Sequence, residues 1–498
     1  MAVLLGNKAI FAGICYKVKN KVFAVGWHVL TLREGSGSRP CPTHHGLRNV
    51  PSPVSSSHAP TTRETDAPHS LVLPMLHLNL NASGLVTRRS FLQLTGASVA
   101  GVGAIGALSA LGLNAAEIKK QGKACILVFL NGAPSQMETW DPKPGTGNGG
   151  PTKGVKTSIA GVQFAEFWPK LAASMNDLSV IRSLVGKEAA HERGQYHLHT
   201  GHRLAGTTKF PHFGSIVAQK LGDPESDMPN FVSIGNTLSS GFLGVKVAPF
   251  IVNKPGLLPD NVSNGAGNSR MERRLALLKE QDAGLAAAGA SALAKEHEEI
   301  YNRASRLMTS VRLRAFETTS EPEAMKAAYG ASNFGQGCLV ARRLVEAGVP
   351  FVEVQRGGWD MHESLWNRMS STAPDVDQGV SQLIADLKQR GLYEKTLVIV
   401  IGEFGRTPKI NQRNPEVGRD HWARNFNLLI GGGGIKGGVC VGQTSADGSS
   451  ITDRPVEVDD LFQTMAQALG IDGTEELITP EGRPIRIVDK GTVIAELV

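Results

Sequence analysis

Two stretches of this chain, "ACILVFL" (124–130) and "TLVIVIG" (396–402), are almost unbroken apolar runs. A strand with one wet face alternates apolar and polar residues; an unbroken β-rich run must be covered on both faces. Such strands sit inside a mostly parallel sheet, and parallel neighbours need crossover helices between them. The intervening sequence has that form. "GCLVARRLVEAG" (337–348) is an amphipathic helix that stops at Gly348 and leads into the strand "FVEV" (351–354). "DVDQGVSQLIADLKQRG" (375–391) is a helix stopped by glycine that feeds "TLVIVIG", and "DDLFQTMAQALG" (459–470) is a late helix opening on aspartate. "DLSVIRSLV" (177–185) and "FNLLIGG" (426–432) are further strands, and residues 271–310 are a long helical stretch with a solvated face or a surface hairpin. Strands alternating with helices predict an α/β fold with a central, mostly parallel sheet and helices on both faces.

The 498 residues suffice for one large domain or two medium ones, and the formal net charge is +7. That excess is local. Residues 1–116 hold ten Lys/Arg against three Asp/Glu, which leaves 42 of each sign in 117–498. A formally neutral body argues against a nucleic-acid partner. The basic end contains "VTRRSFLQLTGASVAGVGAIGALSALGLNAA" (86–116), with paired Arg88 and Arg89, then Phe91-Leu92, then a Gly/Ala-rich apolar segment. This resembles a twin-arginine (Tat) export signal, and too many glycines interrupt it for a strong spanning helix. The implied transient partner is the Tat translocon. The implied location is periplasmic or secreted, with no stable membrane span after cleavage. Residues 1–74, with tracts such as "PSPVSSSHAPTT", are expected to be a mis-assigned start or a disordered extension, with the signal at 75–116 and the folded body at 117–498. Cys125, Cys338 and Cys440 in that body are odd in number and widely spaced, and form neither a disulfide framework nor a C-x-x-C knuckle.

Open α/β sheets bind ligands beyond the carboxyl ends of their strands. Here those ends carry "NGAPS", "QRGGWDMH" and "EFGRTP". Asp360, His362 and Glu403 are therefore expected on one rim.

In order along the chain, "LNGAPSQMETWDPKPG", "HERGQYHLHTGH", "YGASNFGQGCLVARRLVEAGVPFVEVQRGGWDMH", "TLVIVIGEFGRTPKIN" and "GRDHW" resemble the bacterial domain-of-unknown-function family 1501, whose members commonly carry Tat signals. That family is similar to the alkaline phosphatase/sulfatase superfamily of metal-dependent hydrolases. The resemblance implies an alkaline-phosphatase-like (sulfatase-like) sandwich over 117–498. It places Asn131 at an early aspartate position, His191 where a nucleophile usually stands, and His421 as a late histidine. Asp360, His362 and His421 then supply one oxygen and two imidazoles, a set suited to Zn or a similar divalent ion. A second ion's set is weakened by Asn131 and Phe404, with Glu403 or His191 as compensating groups. Asp420 either ligates or holds His421 through a hydrogen bond. Arg406 either binds an anionic substrate oxygen or pairs with Glu403. No cysteine lies in a formylglycine context, and Ser135 and Thr200 are only fallback nucleophiles. The implied function is an exported metal-dependent hydrolase of a phosphate, sulfate or related ester, on a small molecule or a polymer. The alternative is a non-catalytic member that binds a ligand or a cell-surface polymer.

Overall fold

The computed structural model describes residues 122–260, 262, 268–412 and 415–498, together with two short antiparallel strand pairs, Ala2–Leu4 with Ala9–Phe11 and Lys17–Val18 with Lys21–Val22. The expected export signal at 75–116, and the rest of the segment expected to lie outside the fold, fall outside the described residues.

A nine-stranded sheet forms the body. Its strands are β1 (Ala124–Phe129), β2 (Leu178–Val185), β3 (Phe231–Ile234), β4 (Phe250–Val252), β5 (Phe351–Gln355), β6 (Thr396–Ile401), β7 (Phe426–Gly431), β8 (Cys440–Val441) and β9 (Val456–Glu457). The order is β4-β3-β5-β1-β6-β7-β2-β8, with β9 also on β2. Only β7 runs antiparallel to its neighbours. β5, β1 and β6 lie side by side and parallel, so their carboxyl ends share one rim, as expected. The sequence reading missed β3, β4, β8 and β9, whose runs are too short for periodicity to separate from loop.

Alternation along β1 explains why every residue in it is apolar. Ala124, Ile126, Val128 and Leu130 enter one core, and Cys125, Leu127 and Phe129 enter the other. The first core is closed by α5 (Asn333–Glu346) and α6 (Leu365–Gln389), the second by α1 (His191–Thr200), α2 (Phe213–Leu221) and α7 (Val458–Leu469). Residues 268–309 form two helices, α3 (Asn268–Ala287) and α4 (Ser291–Thr309), broken at Gly289, whose φ of +90° suits glycine. The expected start of α6 at residue 375 is corrected to Leu365, with Pro374 inside the helix. Proline there forfeits one backbone hydrogen bond, but Leu365, Met369 and Ala373 on the same turns are fully or nearly buried, and their packing holds the extra turns. Among the described residues no helix is long and apolar enough to cross a membrane.

Candidate metal centre

The rim beyond β1, β5 and β6 gathers His191, Asp360, His362, Glu403, Arg406, Asp420 and His421. Asp360 is at the middle. Its Oδ1 lies 3.0 Å from His362 Nε2, 3.3 Å from His421 Nε2 and 3.4 Å from His191 Nε2. The His362 and His421 Nε2 atoms are 3.0 Å apart. The expected trio of Asp360, His362 and His421 is thus brought together, and His191 joins it as a fourth donor.

The far side of each ring fixes its proton. His191 Nδ1 is 2.7 Å from Glu403 Oε1, His362 Nδ1 is 3.0 Å from Asp420 Oδ1, and His421 Nδ1 is 2.8 Å from the Ala189 carbonyl. Each partner only accepts, so each Nδ1 donates. In the neutral ring the Nε2 lone pair then points at Asp360. His191 Nε2 is buried with no hydrogen-bond partner. Asp360 Oδ1 and the Nε2 atoms of His191 and His421 all lie within 4.8 Å of one another, with His362 Nε2 beside Asp360 and His421, and imidazoles with a carboxylate are a donor set that fits a divalent cation.

Two of the expected ligands take other roles. Glu403 is 1% exposed and faces inward. Its carboxylate accepts from the Gly132 N–H at 2.9 Å and the Ala133 N–H at 3.0 Å as well as from His191. It is a ring holder because its longer side chain folds back onto the β1 loop. Asp420 holds His362, and the expectation that it holds His421 is corrected accordingly. Arg406 pairs with Asp360, not with Glu403, its Nη2 lying 2.5 Å from Asp360 Oδ1. Its other N–H groups reach the carbonyls of Ala133, Gly132 and Arg419 and the His362 ring. The guanidinium is occupied on all sides and 1% exposed, which leaves it no free fork for a substrate oxygen.

Local backbone makes this packing feasible. Gly132 has φ +114°, and a Cβ there would lie 2.7 Å from the Asp360 backbone N. Gly194 in α1 allows the helix onto the Phe404 ring, which a Cβ would meet at 2.8 Å. Phe404, which cannot ligate, lies against His191 and His421 with ring centroids 5.1 and 4.9 Å apart. Ala133 holds the left-handed φ of +58° between Glu403 and Arg406, a strain of about 1 kcal/mol or more that those contacts offset.

Charge follows the geometry. The Glu403 hydrogen bond holds the His191 pKa above its ordinary value against the opposing effect of burial. Burial and the Arg406 charge lower that of His421. Burial pushes the Asp360 carboxyl up, but the hydrogen-bonded Arg406 guanidinium outweighs it and holds the carboxyl at about 2.

The fallback nucleophiles are elsewhere engaged. Buried Ser135 accepts from the Met137 N–H, and buried Thr200 donates to the Tyr196 carbonyl. His197 and His202 are also buried, the latter stacked on Phe210. Asn131, at the early-aspartate position, accepts from Gln195 Nε2 at 2.8 Å. One group passed over by the sequence reading is Glu353. The signal was a lone carboxylate in the middle of "FVEV".

A family model described as "Protein of unknown function (DUF1501)" matches residues 122–498. The chain belongs to the DUF1501 family. No curated protein matches it. Solved structures to which this DUF1501 chain is similar include Ps i-CgsB in complex with k-i-k-neocarrahexaose, at 11% identity and TM-score 0.36 over 74% of this chain and 75% of that one. The PsFucS1 sulfatase from Pseudoalteromonas sp. matches at 13% identity and TM-score 0.34 over 73% and 71% of the two chains. A protein in the alkaline phosphatase superfamily from Vibrio parahaemolyticus matches at 12% and 0.33 over 70% and 67%.

In the DUF1501 chain Arg406→Lys separates charge from shape. A lysine ammonium keeps the cation but cannot span three carbonyls, a carboxylate and a ring. The stability loss is expected at about 1–3 kcal/mol, from stranded buried acceptors, read as a lower urea midpoint. An unchanged midpoint would show that the fork is not needed.

Proposed function

We propose that this DUF1501 protein is an exported metal-dependent hydrolase of a phosphate, sulfate or related ester. The observation that carries the reading is the convergence of three imidazole Nε2 atoms on one Asp360 oxygen, with each Nδ1 proton committed to an acceptor. His191, His362, His421 and Asp360 would hold the ion, and three imidazoles with one carboxylate suit Zn. When bound, such an ion activates water and stabilises the negative charge that develops on an ester oxygen. Water as nucleophile accords with Ser135 and Thr200 being buried and engaged elsewhere. Glu403 and Asp420 fix the ring tautomers, and Arg406 orients Asp360 and contributes a fixed positive charge. Three carboxylates, Asp360, Glu403 and Asp420, stand against one guanidinium, an excess that one divalent ion neutralises. The substrate class is an ester of a small molecule or a polymer.

Metal analysis of the purified chain, followed by chromogenic phosphate and sulfate esters with and without a chelator, tests this. Chelator-sensitive turnover supports it, and a metal-free chain without turnover refutes it. Metal binding without turnover on any ester would favour the non-catalytic, ligand-binding reading, to which the absent covalent nucleophile also points.

Export by the Tat route is the other half of the proposal, resting on Arg88, Arg89 and the apolar segment after them. Arg88→Lys with Arg89→Lys should retain the protein in the cytoplasm. Unaltered export of the double variant in cell fractionation would sink the assignment.

A further inference from the structure

A second polar cluster lies inside the core covered by α1, α2 and α7. Glu353 of β5 is fully buried. Its Oε1 accepts from His199 Nε2 at 3.0 Å and Gln355 Nε2 at 2.8 Å, and its Oε2 from His212 Nε2 at 3.1 Å and Thr237 Oγ1 at 2.6 Å. Two histidines and a carboxylate within reach of one another have the composition of a metal site. The protons argue otherwise. His212 Nδ1 accepts the Gly214 N–H at 2.7 Å, so its proton sits on Nε2, toward Glu353. His199 donates from both nitrogens, Nδ1 to the Gln195 carbonyl at 2.7 Å and Nε2 to Glu353. The lone pairs that an ion would need are taken, whereas on the rim His191 Nε2 is buried without a hydrogen-bond partner.

An ionised pair is costly to bury, and apolar side chains of similar volume would hold a core at least as well. Its position supplies a reason for it. His191, Gln195 and His199 recur every four residues and lie along one face of α1. His191 reaches the rim centre, Gln195 reaches Asn131 at the end of β1, and His199 reaches Glu353. The strand that carries Glu353 runs on into the loop that carries Asp360 and His362. We infer that the Glu353–His199 pair is a positioning strut, which sets the height and rotation of α1 against β5 and so places His191 opposite Asp360 and His362. This rests on the reading of the rim as a metal centre.

The test is a Co²⁺ titration of the full chain, followed by its visible absorption, for the wild type, Glu353→Gln, His199→Gln and Leu339→Ala. Leu339 is a buried α5 residue on the opposite face of the sheet, so its truncation lowers stability without touching the strut. Both strut variants are expected to weaken Co²⁺ binding about tenfold to a hundredfold, as loss of an outer support does at metal sites, and to alter the absorption band. Leu339→Ala should change neither. If Glu353→Gln does not fold, His199→Gln decides alone, because it removes the imidazolium charge and the Gln195 link while an amide N–H can still satisfy the buried Glu353 carboxylate. Strut variants that lower the unfolding midpoint but bind Co²⁺ as the wild type does overturn the strut and leave the metal centre standing. A wild type that takes up no Co²⁺ overturns the metal-centre reading and the strut with it.

Discussion

His362→Ala is expected to lose the bound divalent ion, while wild type carries about one ion per chain, as a four-donor site requires. The side chain contributes one of three Nε2 donors around Asp360 Oδ1 and the 3.0 Å link to His421. Its deletion leaves a three-donor remnant. Removing outer hydrogen-bond partners at metal sites costs about tenfold to a hundredfold in affinity, so removing a ligand costs more than about a hundredfold. Asp420→Asn, which replaces the charged acceptor of the His362 Nδ1 proton with an uncharged amide oxygen, should fall within the milder range. Elemental analysis after dialysis against a weak chelator measures both. Retention of the full ion by His362→Ala would remove His362 from the ligand set. Equal losses in the two variants would mean that Asp420 ligates.

The second large effect is acid lability. Burial holds His212 down at about 4, with Glu353 opposing, and holds His197 down at about 4 as well. An unfolded histidine titrates near pH 6.5, so between about 6.5 and about 4 the unfolded chain takes up protons that the native chain refuses. The stability these two histidines contribute is therefore full above about pH 6.5 and declines as pH falls toward 4. His212 alone accounts for about 3 kcal/mol at about 1.4 kcal/mol per unit, and His197 adds in the same direction. His199 does not cancel this. Its pKa is raised by Glu353 against the opposing effect of burial, so its contribution is complete below about 6.5 and is lost only as pH rises. Glu353 is depressed by His199 and His212 despite burial, and its contribution is lost only at lower pH. Urea midpoints at pH 7 and pH 4.5 measure the decline. His212→Asn keeps a side chain able to cap α2, whose Gly214 N–H the ring now accepts, and removes one titrating group. It should be less stable at pH 7 and show a flatter pH dependence. An equally steep decline in His212→Asn would assign the lability elsewhere.

Asp360, His362 and Glu403 were legible on the rim because topology places strand ends together, whereas His191 and His421 were legible only through the family resemblance. "ACILVFL", "FVEV" and "TLVIVIG" had to be central parallel strands, and whatever followed them had to meet. The division of labour within the rim was not legible. Asp360 and Glu403 both follow strand ends and differ by one methylene, yet the first points into the centre and the second turns back onto the Gly132 and Ala133 N–H groups. Arg406 illustrates the same limit. Its charge was visible, but its partner was set by a loop geometry that depends on Gly132 and on the left-handed Ala133. The start of α6 was misread because Pro374 is a local stop signal and the core contacts of Leu365 and Met369 that override it are non-local.

The reversed strand β7 has a consequence for assembly. Because β7 runs against β6, residues just before its start, His421 among them, reach the rim where β6 ends. The centre thus joins groups remote in the chain: 212 residues separate His191 from Glu403, and 61 separate Asp360 from His421. Closing such long loops is a slow, entropy-limited step, and the sheet must complete it before the donors meet. A cation added to the unfolded chain finds only scattered imidazoles and carboxylates. If the rim binds an ion as proposed, a cation added to the native chain would find its donors already placed and would stabilise the molecule as a whole, by RT ln(1 + [ion]/Kd). Ion uptake during refolding would then follow sheet formation, and its time course would report the last step of folding.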